Sequence, residues 1–174
     1  MEREKIAFIL NRYSCRNFRR QAMPRADLEL LLEAAQWAPS AGNVQPWFFY
    51  VVTNASVKQQ LARAAYGQMF VADAAAVFVV CGNAEESATW YGARGRQLYV
   101  LQDTAAACEN ILLAVTALGY GGCWVGSFDE GAVHKLLQLP RNLRPVALLP
   151  VGPGEAVAER RERKPLEEIS RWIE

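Results

Sequence analysis

The sequence lacks the residue patterns on which most hydrolases and metalloenzymes depend. Its 174 residues contain a single histidine, His134, which argues against a Ser-His or Cys-His nucleophile pair. Four cysteines lie far apart without a C-x-x-C pair, so neither zinc-site nor disulfide-framework spacing is present. Asp103 and Glu109 are six positions apart on a predicted helix and do not form an acid pair. If the chain is an enzyme, a bound organic cofactor is predicted to carry the chemistry, with no metal and no catalytic side chain.

A strong net charge and a long apolar run are also missing. The formal charge is +1, which argues against a general nucleic-acid binder. No uncharged apolar run reaches the roughly 18 to 20 residues that span a bilayer, and the N-terminus lacks the features of a signal peptide. We therefore expect a soluble, cytoplasmic chain with reduced thiols, without a membrane or nucleic-acid partner. Its length predicts one domain over residues 1–174.

Apolar periodicity predicts alternating helices and strands. The predicted helices cover residues 3–12, 25–37, 56–65, 99–118 and 130–137, and the predicted strands cover 47–52, 75–81 and 146–151. Asn54 and Ser56 are both predicted as possible N-caps of the helix at residues 56–65, Asp129 is a predicted N-cap, and Gly119 is a predicted helix end. Strand 47–52 has no polar alternation, which is typical of a strand covered on both faces. Helix 99–118 is apolar around most of its circumference, so we expect part of it to pack against a second copy of the chain.

The segment RYSCRNFRR (residues 12–20) is rich in side-chain donors. Arg12, Ser14 and Arg16 alternate along a predicted extended turn, which points several donors in one direction. A phosphate monoester is held best by two or more guanidinium or hydroxyl groups that converge from a short segment. The alternative is a solvated basic helix terminus that the helix dipole favours.

The segment PSAGNVQPW (residues 39–47) lies between a predicted helix and a predicted strand. Asn43 and Gln45 can each donate and accept hydrogen bonds. A ring system such as isoalloxazine requires amides along its polar edge and flat or small groups against its face. The alternative is an ordinary turn.

The segment GYGGCWVG (residues 119–126) combines glycines with Trp124. Missing side chains would let backbone N–H groups approach a flat ligand, and such a donor at flavin N5 would suit hydride transfer. A helix precedes the glycines, which is the wrong order for a dinucleotide fingerprint. The alternative for Trp124 is a place in the core.

Taken together and in this order, the three segments resemble the nitroreductase family from residue 12 to about residue 168. The resemblance implies an α+β fold, a three-layer α-β-α sandwich around a central mixed, mainly antiparallel sheet, in a homodimer with FMN sites at the interface. In the family, the loop at residues 39–47 reaches the flavin of the other subunit. The residues implied to bind the cofactor are Arg12, Tyr13, Ser14, Arg16, Pro39, Ser40, Asn43, Gln45, Gly122, Cys123, Trp124, Val125, Gly126, Arg161 and Arg163.

The resemblance also concerns the C-terminal segment. RERKPLEEI looks like the family's terminal segment, which implies that Arg161 and Arg163 bring further positive charge to the phosphate. The alternative is a solvated tail. The extension from about residue 153 to 174 is expected to pack on the partner subunit. The connection over residues 82–97 is short compared with relatives that carry extra helices there, so we expect an open acceptor pocket with broad specificity.

The activity implied is that of an NAD(P)H-dependent flavin oxidoreductase with ping-pong kinetics. Our hypothesis is that hydride passes from NADH or NADPH through flavin N5 to a small acceptor such as a nitroaromatic or a quinone. Arg16 is the candidate for stabilising the N1–O2 edge of the reduced ring. The alternatives are an FMN storage or delivery protein of the same fold, and a reductive dehalogenase or flavin-modifying relative.

Overall fold

The computed structural model describes residues 2–155 and 162–174 of the chain. The strands of these residues are β1 (Trp47–Val52), β2 (Ala76–Asn83), β3 (Gly121–Gly122) and β4 (Leu143–Gly152). The helices are α1 (Glu2–Lys5), α2 (Ala7–Asn11), α3 (Arg25–Gln36), α4 (Ala55–Ala64), α5 (Phe70–Asp73), α6 (Ala84–Arg94), α7 (Val100–Ala117), α8 (Glu130–Leu136) and α9 (Leu166–Ile169). A 3₁₀ turn covers Ala41–Asn43, and a π-helical turn over Gly95–Tyr99 joins α6 to α7.

The strands form one sheet in the order β1-β2-β4-β3. Every pair of neighbouring strands is antiparallel. Within the residues described, the parallel pairing is confined to one isolated bridge between Ser14 and Gly122. The α+β class predicted from the sequence is therefore confirmed, and the sheet is antiparallel apart from that bridge.

Helices cover both faces of the central strands. Phe78 and Val80 of β2 belong to a buried cluster that includes residues of α3 and α7. Val77 and Val79 belong to a second cluster with residues of α4, α5 and α8. Because successive side chains of a strand point to opposite faces, the two clusters lie on opposite sides of the sheet.

Several local predictions are confirmed. β1 has the bounds predicted from its aromatic and β-branched run, and α3 starts at the predicted residue. Asn54 Oδ1 accepts a hydrogen bond from the Val57 amide at 3.0 Å, and Asp129 Oδ1 accepts one from the Ala132 amide at 2.9 Å. Gly119 follows α7 with φ of +77°, the left-handed conformation that ends a helix.

Two local predictions need correction. The helix predicted over residues 3–12 is broken at Ile6, between α1 and α2. β1 lies at the edge of the sheet, and Phe48 is 50% exposed, so this strand is not covered on both faces. The sequence patterns also did not predict helix α6, which follows β2 and has a kink at Gly92 where φ is +56°.

The helical segment Ala84–Ala117 is long and apolar enough to cross a membrane, judged by length and composition alone. Cys108, Ile111 and Val115 of this segment are buried against the sheet in the first cluster. That environment is typical of the central helix of a globular core.

Candidate functional site

The first and third predicted segments are neighbours at the outer edge of the sheet. Ser14 bridges Gly122, and the Cys15 amide donates to the Gly122 carbonyl at 2.9 Å. Residues 13–15 therefore run parallel to the start of the segment 121–126. We call this combination of residues 12–16 and 121–126 the donor edge.

The glycines of the donor edge are required mainly by packing within the protein. A side-chain carbon at Gly121 would lie 2.7 Å from Cys15 Sγ, and one at Gly122 would lie 3.1 Å from Leu112 Cδ2. A carbon at Gly126 would meet no atom closer than 3.8 Å. Gly122 is therefore explained by its packing against Leu112 in the core. Only at Gly126, among these three glycines, does the structure leave open space through which a ligand could approach the backbone.

The arginines of the first segment act electrostatically on the thiol of Cys123. Cys123 is 1% exposed, and its burial raises the pKa of the thiol. The positive charges of Arg16 and Arg12 and the Ser14 side chain lower this pKa, whereas Cys15 raises it. Together with the bridge between Ser14 and Gly122, these effects place the first segment beside the third.

The two arginines differ in how far their charge is already compensated. Arg12 is mostly buried, and its Nε lies 3.7 Å from Glu109 Oε1. Arg16 is exposed, with its Cζ 5.9 Å from the centre of the Phe70 ring. Tyr13 lies between them in sequence, and burial raises the pKa of its phenol, which stays a neutral donor. Arg16 is the cation most available to an anionic ligand.

The backbone of residues 123–126 offers donors on its outer side. The amides of Cys123 and Val125 donate to carbonyls of β4 at 3.1 and 2.9 Å. Since successive amides of an extended segment point in opposite directions, the amides of Trp124 and Gly126 are directed away from β4. Both residues are exposed. These outward amides extend the donor edge beyond the end of residues 13–15.

The loop at residues 39–46 has an unusual backbone. Gly42, Asn43 and Gln45 have φ of 55°, 57° and 55°, so two residues other than glycine are left-handed. Such conformations cost about 1 to 3 kcal/mol each and persist only when surrounding contacts enforce them. The Ser40 hydroxyl accepts from the Gln45 amide at 3.1 Å, and Gln45 Nε2 donates to the Asn43 carbonyl at 3.3 Å. Pro39, Asn43 and Gln45 are exposed, as expected of residues that contact a ligand or another chain.

A buried carboxylate that sequence reasoning did not assign lies beneath this loop. Asp103 of α7 is 5% exposed, and its Oδ1 accepts a hydrogen bond from the Ala41 amide at 3.1 Å. Its Oδ2 is buried without a partner among the residues that the structure describes. Burial raises the pKa of Asp103, and the Ala41 hydrogen bond offsets part of that rise. The signal in the sequence was an acidic residue within a mainly apolar helical stretch that carries only one other acid, Glu109.

The loop and the donor edge are attached to different sides of α7. Ala41 contacts Asp103, and Arg12 contacts Glu109, six residues further along. That spacing corresponds to about 9 Å along the helix axis and roughly 120° around it. One chain therefore brings the first and third predicted segments together and holds the second segment apart from them.

The C-terminal segment is exposed. Arg163 lies on the surface, whereas Arg161 falls outside the described residues. Trp172 is 89% exposed and Ile173 is 94% exposed. A cavity of about 650 Å³ lies next to the end of β1, with none of the predicted cofactor residues in its lining. Its apolar wall includes Met23, Leu28, Leu32, Val51 and Met69.

Comparison with known sequences identifies consistent relatives. The nitroreductase family profile matches residues 9–153. A protein of Archaeoglobus fulgidus that carries the name NADH dehydrogenase/NAD(P)H nitroreductase is 36% identical to this chain, over 86% of this chain and 84% of its own length. An oxygen-insensitive NADPH nitroreductase of Helicobacter acinonychis is 28% identical over 99% of both chains.

Solved structures agree with the sequence comparison. A nitroreductase family protein of Clostridium novyi NT superposes with a TM-score of 0.78 and is 32% identical, over 86% of this chain and 84% of its own. Nitroreductase A of Vibrio parahaemolyticus has a TM-score of 0.87 and 27% identity, over 97% of this chain and 76% of its own.

The buried carboxyl of Asp103 generates a prediction about pH. Burial raises its pKa above the ordinary value of 3.8, so this carboxyl binds a proton more strongly in the folded chain than in the unfolded chain. The parent's free energy of unfolding should therefore fall as the pH rises from about 4 through the raised folded pKa. The Asp103→Asn variant cannot ionise at this position and should lack that fall. Urea denaturation of both proteins between about pH 4 and pH 8 should show that the free energy of unfolding of Asp103→Asn increases relative to that of the parent as the pH rises. If the difference between the two free energies does not change with pH, the pKa of Asp103 is not raised.

Proposed function

Since this chain belongs to the nitroreductase family and is an oxidoreductase, we propose that it binds FMN and transfers electrons from NADH or NADPH to a small acceptor such as a nitroaromatic or a quinone. The observation that carries the proposal is the pairing of Ser14 with Gly122, which places the segment carrying Arg12, Ser14 and Arg16 beside residues 121–126. The names of the relatives, which include an NADPH nitroreductase, support the same class of reaction.

The residues of the donor edge fit a flavin mononucleotide. A phosphate monoester carries nearly two negative charges and three acceptor oxygens, and the exposed guanidinium of Arg16 beside Arg12 and Ser14 provides matching donors. The outward amides of Trp124 and Gly126 continue the same edge and suit the polar edge of a ring. The phosphate would therefore lie near residues 12–16, and the ring would lie along residues 124–126.

The cofactor would supply the redox chemistry, accepting hydride from the nicotinamide and passing electrons to the acceptor. The protein's own groups then bind and orient. His134 lies on α8, and its Nε2 is 3.3 Å from the Pro140 carbonyl. Burial raises the pKa of the Cys81 and Cys108 thiols to about 12, so neither is a nucleophile at neutral pH. Arg16 is the candidate cation for the negative charge of the bound cofactor.

We also propose that the loop at residues 39–46 from a second copy completes the site. Within one chain this loop is held on another side of α7, yet its carboxamides are exposed. The surface supports self-association, because Ile6, Ile9 and Leu10 of the N-terminal segment are 43%, 45% and 49% exposed. Adjacent exposed apolar residues of this kind mark an interface.

The C-terminal segment is proposed to contribute to the same dimer. Trp172 and Ile173 expose most of their apolar surface at the end of the chain. The cavity beside the edge strand β1, which has apolar walls together with charged residues such as Arg25 and Lys58, is of a size that can receive such side chains. We therefore assign this cavity to the tail of a second copy.

The tail assignment predicts that Trp172→Ser combined with Ile173→Ser weakens the dimer. Burying a large apolar side chain stabilises an interface by about 1.5 to 3 kcal/mol, and the double variant removes two of them. Sedimentation velocity should show a shift toward monomer, with a lower FMN content. Tyr66→Ser, at a residue that is 71% exposed outside the cavity, is the control and should leave both unchanged. A double variant that sediments like its parent would refute the assignment.

The phosphate assignment predicts weaker FMN binding when an arginine is removed. Arg12→Ala and Arg16→Ala should each raise the Kd for FMN about tenfold or more, because each loses a charge-assisted hydrogen bond. Titration of the flavin fluorescence with apoprotein measures this Kd. Arg63→Ala, on the exposed surface of α4, should bind as the parent does. If both donor-edge variants retain the parental Kd, the phosphate lies elsewhere.

The redox assignment predicts bleaching of the bound flavin. Anaerobic mixing of FMN-loaded protein with NADH or NADPH should abolish the yellow absorption, and subsequent addition of a quinone or nitroaromatic should restore it. The faster of the two nicotinamides identifies the preferred donor. An FMN storage or delivery protein would stay yellow after the addition of either NADH or NADPH. That result would overturn the enzymatic proposal but not the proposal that the chain binds FMN.

A further inference from the structure

Asp103 occupies a position that packing alone does not explain. The side chain is 5% exposed in a helix whose neighbouring buried positions, Val100, Thr104 and Ala107, are apolar or satisfied within the helix. One carboxyl oxygen lacks a partner among the residues that the structure describes. A buried polar atom without a partner destabilises a fold, so its presence calls for a role beyond stability.

Among the described residues, this carboxyl is hydrogen-bonded to the loop at residues 39–46. Oδ1 accepts from the amide of Ala41, which begins the 3₁₀ turn Ala41–Asn43. The residue before the turn, Ser40, is extended with φ of −142° and ψ of 154°, and the residues after Ala41 include the left-handed Gly42 and Asn43. The hydrogen bond therefore ties the start of the strained turn to the rigid helix α7.

We propose that Asp103 is a positioning residue for the cofactor: its buried carboxyl fixes the Ala41 amide and thereby holds the strained turn that presents Pro39, Ser40 and Asn43 at the proposed interface. The role of the loop in binding FMN rests on the proposed function. The attachment of the loop to Asp103 does not, because the hydrogen bond is a property of the chain alone.

The proposal explains how a short loop keeps two left-handed residues that are not glycine. Without the Asp103 acceptor, the start of the turn loses this attachment to α7, so the loop relaxes more readily to unstrained conformations. A ligand that needs the strained turn then binds only the fraction of molecules that adopt it, and the apparent Kd rises in inverse proportion to that fraction. Asp103 thus acts on affinity although it touches no ligand.

Two substitutions of Asp103 distinguish the effect of its hydrogen-bond acceptor from the effect of its ionisable carboxyl group. Asp103→Asn retains an oxygen that can accept from Ala41, whereas Asp103→Leu has a similar size and no acceptor. We expect Leu to raise the Kd for FMN about tenfold, and Asn to stay within about threefold of the parent. Hydrogen exchange of the cofactor-free proteins should show faster exchange over residues 40–45 in the Leu variant only.

A neighbouring substitution controls for loss of stability alone. Thr104→Val removes the hydroxyl that donates to the Val100 carbonyl at 2.7 Å and does not involve the loop. This variant should lower the melting temperature and leave both the Kd for FMN and the exchange of residues 40–45 unchanged. If Thr104→Val raises the Kd as much as Asp103→Leu does, the effect of Asp103 is only structural and the proposal is wrong.

A second variant removes the same hydrogen bond from the loop side, should Asp103→Leu not fold. Ala41→Pro deletes the donor amide without altering α7, and the extended Ser40 is a conformation that precedes proline readily. It should raise the Kd for FMN about tenfold. The two substitutions combined should cost no more than either alone, since they break one interaction. Fully additive effects, or a parental Kd in Ala41→Pro, would overturn the proposal.

Failure of the proposed function can be told apart from failure of this inference. If the parent protein takes up no FMN, the flavin proposal fails, and the exchange of residues 40–45 still tests Asp103. Faster exchange in the Leu variant with parental exchange in the Asn variant supports positioning. Equal exchange in the parent, the Asn variant and the Leu variant refutes it, whether or not FMN binds.

Discussion

The proposed site depends on helix α7, because both the donor edge and the loop at residues 39–46 are attached to it. One side of the helix holds Arg12 through Glu109, and another side holds the loop through the bond between Asp103 and Ala41. The two attachment points are about 9 Å apart along the helix axis and roughly 120° around it, so the donor edge and the loop are held on different sides of α7. Under the proposed function, a flat anionic cofactor that uses both sets of donors would be bound between two copies of the chain, and the exposed apolar residues of the N-terminal helices and the tail would lie in the same interface.

The hydrogen bonding of segment 121–126 at the edge of the sheet decides which side-chain and backbone donors follow one another along it. On its inner side, the segment 121–126 is hydrogen-bonded to β4, and on its outer side residues 13–15 cover only the first half. The segment that carries Arg12 and Arg16 pairs with the start of segment 121–126, and the amides of Trp124 and Gly126 follow further along that segment. Under the proposed function, the phosphate would lie near the first of these parts and the ring along the second.

Sequence patterns predicted the features that depend on local chemistry. The bounds of β1, the start of α3 and the caps at Asn54 and Asp129 follow from side-chain shape and short-range hydrogen bonds, and they are confirmed. The exposure of Phe48 was missed because an apolar run does not reveal that a strand has a neighbour on one side only. Helix α6 was missed because Gly92 and Gly95 interrupt its pattern. Asp103 was read as an isolated acid, since its partner is 62 residues away in sequence.

The shared site is tested most directly by mixing two defective subunits. One subunit carries Arg12→Ala and Arg16→Ala, and the other carries Asn43→Gly and Gln45→Gly, which remove the carboxamides while keeping a residue that tolerates left-handed φ. If the site is built from two copies, neither homodimer retains FMN, whereas the isolated heterodimer has one intact site and retains one FMN per pair of chains. A heterodimer that retains no FMN would show that the donor edge and the loop must belong to the same chain, and would contradict the account.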